Sequence, residues 1–153
     1  MSAVLRPVPG VEPMREGDLR AVLEIEEGIY EFPWTLGNFR DSLRAGYACL
    51  VMREGKNLIG YAVLMLAAGE AHLLNLSIAV HWQRRGHGRG LLDNVVQVVR
   101  EHKAKILFLE VRPTNEVGQR LYTGYGFRQI GVRRGYYPAR KGREDALVLA
   151  LDL

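Results

Sequence analysis

Residues 83–92 read QRRGHGRGLL: the glycines Gly86, Gly88 and Gly90 stand among Arg84, Arg85, His87 and Arg89, directly ahead of a run whose apolar residues recur at helical spacing. Residues 70–78, just before, read as a strand. A glycine-rich junction between strand and helix offers unpaired backbone N–H groups and the positive end of a helix dipole, and both favour an anion. Lacking Cβ atoms, the glycines let the anion reach the main chain, and the arginines add charge around it, so a pyrophosphate is a natural guest. On these residues alone, a turn that merely starts a helix beneath solvent-exposed arginines explains the pattern equally well.

Two phosphate-binding patterns fail. A P-loop needs Lys followed by Ser or Thr after its glycines, and Gly90 is followed by Leu91 and Leu92. A dinucleotide-binding turn expects G-x-G-x-x-G early in a parallel βαβ unit, whereas the spacing here is G-x-G-x-G and the preceding strands look like an antiparallel meander. Coenzyme A, held by its pyrophosphate, is the third candidate, and it predicts further features downstream.

Working outward, a short strand is expected near Val11. Asp18 is placed to cap a helix carrying Leu19, Val22, Leu23, Ile25 and Ile29, and Thr35 to cap a shorter one with Leu36, Phe39 and Leu43 on one face. Strands are expected over 47–53, 58–67 and 70–78, the first two joined by the hairpin turn Glu54-Gly55-Lys56-Asn57. After the glycine motif, Leu91, Leu92, Val95, Val96, Val98 and Val99 predict a helix that packs on a sheet. Residues 106–111 (ILFLEV) suit a strand buried on both faces. A helix over 115–125, stopped by Gly126, precedes strands over 127–133 and 146–151. The order predicts a mixed α/β domain of α+β type.

The chain has 153 residues, 48% hydrophobic and 25% charged, enough for one globular domain spanning 1–153. It contains no apolar run long enough to span a bilayer, and residues 1–10 lack the pattern of a signal peptide, so a cytoplasmic protein with no membrane partner is expected. The single cysteine, Cys49, and the scattered histidines His72, His81, His87 and His102 make no zinc spacing, so no metal is expected. Net charge is −3 over residues 1–70 and +7 over 71–153. The basic half suits phosphates and the acidic half a cationic partner.

Gln83-Arg84-Arg85-Gly86-His87-Gly88 matches the [QR]-x-x-G-x-[GA] motif of the GNAT superfamily of acetyl-CoA-dependent N-acetyltransferases, and the element order resembles that fold throughout. Further blocks extend the likeness to the bacterial GNAT members that acetylate the N-terminal alanine of a small-subunit ribosomal protein. These are Phe32-Pro33-Trp34, Leu109-Glu110-Val111-Arg112 with Asn115, Leu121-Tyr122 with Gly126-Phe127, Tyr136-Tyr137-Pro138, and residues 142–146 (GREDA). Two positions depart from the pattern. Val80 stands where proline is common, and Gly135 precedes the paired tyrosines where a larger polar residue is usual.

The resemblance implies a mostly antiparallel mixed sheet flanked by helices and splayed between strands 4 and 5. It implies acetyl-CoA as cosubstrate, held by Leu76, Ser77 and Ile78 on the open edge of strand 4, by residues Arg84, Arg85, Gly86, His87, Gly88, Arg89 and Gly90, and by Asn115. Glu110 would be the general base, where partial burial makes a carboxylate a better proton acceptor, and Tyr122 the general acid. From spacing alone, a glutamate emerging to meet an arginine and a core tyrosine explain these two as well. A peptide groove would lie between Phe32, Pro33 and Trp34 and the loop carrying Tyr136, Tyr137 and Pro138. The partner would be the N-terminal peptide of a small-subunit ribosomal protein, and the enzyme a monomer or weak dimer. From the residues, Glu24, Glu26, Glu27 and Glu31 on one side and Glu144 and Asp145 on the other could meet arginines that follow the first residue of that peptide, whereas a glutamate run that simply solvates a helix is the usual role of such a pattern.

Cys49 lies in an apolar strand without a neighbouring histidine, so transfer should be direct and not through an acetyl-cysteine. The competing readings are a GNAT acting on lysine, a polyamine or another small amine and, from another class, a basic RNA-binding module using Tyr136 and Tyr137 among Arg133, Arg134 and Arg140. Direct nucleic-acid binding is not expected.

Overall fold

The computed structural model describes residues 10–153; residues 1–9, most of the segment read for a signal peptide, lie outside the described residues. The elements follow the predicted order: β1 (Gly10–Pro13), α1 (Leu19–Ile29), α2 (Leu36–Arg44), β2 (Ala48–Glu54), β3 (Asn57–Ala67), β4 (Glu70–Ile78), α3 (His87–Glu101), β5 (Ile106–Val111), α4 (Glu116–Tyr125), β6 (Arg128–Pro138) and β7 (Arg143–Asp152). The strands form one sheet in the order β1-β2-β3-β4-β5-β7-β6. Every neighbouring pair is antiparallel except β4 and β5, which run parallel.

Local chemistry sets most boundaries. Thr35 Oγ1 accepts from Asn38 N at 3.1 Å while Asn38 Oδ1 accepts from Thr35 N at 2.9 Å, a reciprocal cap that starts α2. Asp18 behaves differently from expectation. It ends a short 3-10 turn, and its carboxylate binds Arg15 N and the Arg53 guanidinium without capping α1.

Each face of the sheet carries its own core. On one, Leu91, Leu92, Val95, Val96 and Val99 of α3 cover Ala71, Leu73, Leu107, Leu109 and Val111; on the other, Leu19 and Val22 of α1 and Phe39 of α2 cover Val51, Tyr61 and Val63. Burial of side chains this size contributes about 1.5–3 kcal/mol each. β5 is therefore not buried on both faces. Leu107, Leu109 and Val111 are sealed beneath α3, whereas Ile106 and Phe108 are half-buried, because the helices on that side cover β2–β4.

The site is shaped by two irregularities in the sheet. The ladder from β4 to β5 runs from the pair Glu70–Ile106 to Leu73–Leu109 and stops, although β4 continues to Ile78, so residues 74–78 have no partner on the β5 side. The register between β3 and β4 also shifts opposite Leu74. The extra residue keeps Leu76 and Ile78 with the α3 core and turns Asn75 and Ser77 toward α1.

Candidate active site

The glycine motif forms the link into α3 and its first turn. The helix starts at His87, four residues before the apolar run that predicted it, and Gly86 is its N-cap with φ +84°, where a side chain would be strained. Arg84 is also left-handed at φ 63°, so the chain coils back before entering the helix. The guanidinium of Arg85 lies 5.1 Å from the centre of the Trp82 ring and that of Arg89 5.3 Å from Tyr125, flanking the helix start. A Cβ added at Gly86 would meet nothing within 4 Å. This open, positively charged helix N-terminus fits a pyrophosphate. The His87 ring turns away, toward Trp82 and Glu54, leaving its backbone N–H in the helix's first turn. Gln83 Nε2 donates to Ile78 O at 2.9 Å, tying the loop to the end of β4.

On the open edge of β4, the Ser77 hydroxyl bonds to Tyr30 at 2.6 Å and to Asn75 Oδ1 at 2.8 Å, away from the α3 side. At the head of α4, Asn115 Oδ1 accepts from Gly118 N at 2.9 Å, so its carbonyl oxygen caps the helix.

Glu110 is carried beyond the last β4–β5 rung. Its carboxylate is 6% exposed and has two facing partners, His72 Nε2 at 2.5 Å and Arg133 Nε at 3.3 Å. Tyr122 is buried on α4, its ring 5.5 Å from Phe127 and packed edge-on. Burial, reinforced by Tyr30 and Tyr137, raises its pKa far above the ordinary phenol range and keeps it protonated. Tyr137 is raised for the same reason, with Glu110 as the next contributor. Through Tyr137 the neighbourhoods of Glu110 and Tyr122 join, and Tyr30 faces them from the end of α1. Cys49 is sealed in β2, where burial pushes its thiol up to about 11, unlike an activated nucleophile.

A cavity of about 380 Å³ opens between the α1–α2 loop and the β6–β7 hairpin, with Tyr30, Phe32, Arg112, Ala139, Arg140 and Glu144 among its lining residues. Of the predicted groove residues, Phe32 lines it. Trp34 does not: it packs on Phe39 with ring centres 5.1 Å apart, within the α1–α2 core. Tyr136, Tyr137 and Pro138 belong to β6 and not to the connecting loop, because Gly135, left-handed at φ +59°, forms a bulge that lets the strand continue. Tyr137 meets the cavity through Arg112, whose guanidinium stacks on both Phe32 and Tyr137.

Several of the carboxylates expected to meet substrate arginines are already occupied. Glu26 is buried and accepts from Trp34 N at 2.9 Å, Tyr61 OH at 2.7 Å and Asn75 Nδ2 at 2.9 Å. Glu144 binds Arg112 and Thr114, Asp145 accepts from Gly135 N, and Glu31 pairs with Arg140 across the cavity mouth. Glu24 and Glu27 remain exposed. Of the arginines in the RNA-binding reading, Arg133 pairs with Glu110 and Arg140 with Glu31, and Arg112 and Arg128 of the same half also meet carboxylates.

Sequence reading missed His72 and Tyr30. His72 makes no metal-ligand spacing and Tyr30 stands outside the apolar helical pattern, so neither carries a local signal. Only the rung pairing His72 with Phe108 sets His72 beside Glu110.

A glycine-rich, positively charged helix start tied to a parallel strand pair that opens beside it, with a carboxylate at the end of the second strand and a buried phenol on the next helix, is the arrangement of a coenzyme A-dependent acyltransferase. The family model described as the Acetyltransferase (GNAT) family matches residues 19–127, and the chain belongs to that family. It is an acetyltransferase that uses acetyl-CoA as cosubstrate. It is 32% identical over 136 residues, 89% of this chain and 92% of the relative, to a [ribosomal protein bS18]-alanine N-acetyltransferase of Escherichia coli K12. It is 34% identical to the protein of that description from Haemophilus ducreyi, over 94% of this chain and 99% of the relative. The crystal structure of the ribosomal-protein-S18-alanine N-acetyltransferase from Escherichia coli superposes with a TM-score of 0.87 at 30% identity, covering 94% of this chain and 93% of that one. No helix among the described residues is long and apolar enough to cross a membrane.

Proposed function

We propose that the chain, as one domain over residues 1–153, acetylates the α-amine of an N-terminal alanine on a small-subunit ribosomal protein of the S18 type. The observation that carries this reading is the gap beyond Leu73–Leu109, which sets the open edge of β4 facing the end of β5 that bears Glu110. Relatives alike over most of their length and described as acting on bS18 support the substrate.

An amine attacks only when neutral, and an α-amino group has an unperturbed pKa of about 7.7–8.0, so the enzyme has one proton to remove. Glu110 takes it, directly or through water. Acetyl-CoA lies along Leu76, Ser77 and Ile78, and a main-chain N–H of that edge polarises the thioester carbonyl and stabilises the oxyanion. The phosphates rest on residues 84–90, and the Asn115 side-chain amide adds a contact. The nitrogen forms its bond to the acetyl carbon as the carbon–sulfur bond breaks. Tyr122, held protonated by burial, donates toward the sulfur. A phenol is a weaker acid than a thiol, so Tyr122 stabilises the leaving thiolate by a hydrogen bond and the final protonation is completed from solvent. Phe32 and Tyr137, braced by Arg112, border a space that suits a small first residue and an extended chain.

The test is an acetyl-CoA assay on peptides with a free N-terminal alanine and early arginines, on lysine peptides and on spermidine, with the acetylated nitrogen located by mass spectrometry. Acetylation of the alanine α-amine, abolished by blocking it, is the expected result. Preference for lysine or spermidine overturns the substrate while leaving the acetyltransferase chemistry in place.

A further inference from the structure

His72 Nε2 and Glu110 Oε2 are 2.5 Å apart, in direct hydrogen-bond contact. The pair straddles the point where β4 and β5 part, since His72 stands on the β4 rung opposite Phe108, edge-on to its ring at 6.4 Å. From β5 it faces Glu110, from β6 Arg133 reaches the other oxygen of that carboxylate, and its partner on β3 is the uncharged Met65. The two sides of the pair differ in access to water. The Glu110 side chain is 6% exposed and the His72 side chain 21%.

We propose that His72 is the proton outlet of the reaction: Glu110 receives the proton of the substrate ammonium and passes it to His72 Nε2, from which it reaches water. This rests on the reading of Glu110 as base. The transfer balances without any other reactant. The ammonium N–H breaks as an O–H forms on Glu110, that O–H breaks as an N–H forms at Nε2, the imidazolium releases its Nδ1 proton to water, and exchange of the remaining ring proton from Nε2 to Nδ1 through solvent restores the tautomer that accepts at Nε2. A nearly buried carboxylate needs such a partner, because a proton left on it has no exit and blocks the next turnover. In water a carboxylic acid titrates at about 4.3 and an imidazole at about 6.5, against about 7.7–8.0 for an α-amine, so an imidazole accepts an ammonium's proton with much less penalty.

The test compares His72→Gln and Glu110→Gln across the pH–rate profile. Glutamine in place of His72 can still hydrogen-bond to Glu110 and cannot carry a proton. We expect His72→Gln to lower kcat about tenfold or more at neutral pH, to lose one ionisation from the acid side of the profile, and to leave both KM values within about twofold. Wild-type kcat and profile in His72→Gln, with Glu110→Gln impaired, overturn the outlet and spare the base. A wild-type profile in Glu110→Gln overturns the base and the outlet with it. Should the glutamine variant unfold, His72→Ala assayed with added imidazole decides: a rate that rises with neutral imidazole supports the outlet, and an insensitive rate overturns it.

Discussion

The Arg112 guanidinium lies 4.3 Å from the centre of the Tyr137 ring and, with the same Nη1, donates to Pro138 O at 2.8 Å and Glu144 Oε1 at 2.9 Å. Because it also stacks on Phe32, one side chain at the end of β5 braces the two walls of the cavity. Arg112→Ala is expected to raise the peptide KM about tenfold while leaving the acetyl-CoA KM nearly unchanged, and to destabilise the fold by about 2–3 kcal/mol through lost charged hydrogen bonds and stacking. Arg112→Lys should recover little of either, because an ammonium lacks the flat fork. Steady-state kinetics and denaturant unfolding measure the two effects.

Glu26 joins Trp34 N, Tyr61 and Asn75 in one buried network, and Asn75 passes it on to Ser77 and Tyr30. Glu26→Ala strands three buried donors, and we expect a loss of about 3–5 kcal/mol in urea unfolding. Trp34→Ala should lower stability by a comparable amount through lost packing on Phe39, with the peptide KM of the folded fraction little changed. A large KM effect without loss of stability would return Trp34 to the groove.

Glu144 gives the fold a defined acid sensitivity. Burial alone would raise its pKa, but hydrogen bonds from Thr114 and Arg112 outweigh burial and hold it below the usual carboxylate range. A carboxylate depressed in the folded state contributes stability that is fully present above its unfolded value, about 4.3, and is lost as pH falls through the lower folded value. The melting temperature of Glu144→Gln should therefore fall less steeply than that of wild type below about pH 4.5, measured by thermal melts from pH 3 to 7.

In the glycine-rich link into α3, where the proposed coenzyme site lies, the glycines separate strain from space. A side chain at Gly86 meets open space but must adopt φ +84°, costing about 1–2 kcal/mol. At Gly88 an added Cβ would meet Leu121 at an ordinary 3.5 Å, so Gly88→Ala should fold with wild-type stability. Both substitutions are expected to weaken acetyl-CoA binding about tenfold or more in calorimetry, by obstructing approach to the helix N-terminus. Unimpaired binding in Gly86→Ala and Gly88→Ala, and in the double variant Gly86→Val with Gly88→Val, would move the pyrophosphate elsewhere.

The element order, the hairpin at Gly55, the Thr35 cap and the stop at Gly126 were legible in the sequence, because each depends on neighbours a few residues away. The motif blocks likewise carried the family, matched over residues 19–127. Boundaries slipped where a local signal was ambiguous: Gly88 and Gly90 read as loop yet form the first turn of α3, and Tyr136 and Tyr137 read as loop yet extend β6 past the bulge at Gly135.

The sequence by itself thus determined which elements form, in what order, and where a glycine-rich, basic junction leads into a helix, since periodicity, capping and turn chemistry are local properties of the chain. Only the tertiary structure decided which polar groups meet. The His72–Glu110 pair spans 38 residues and rests on the β4–β5 register, and Asn75–Glu26 spans 49 and rests on the β3–β4 bulge at Leu74. A shift of one residue in that register turns every following side chain to the other face of the sheet, so no pattern within a single strand records its partners.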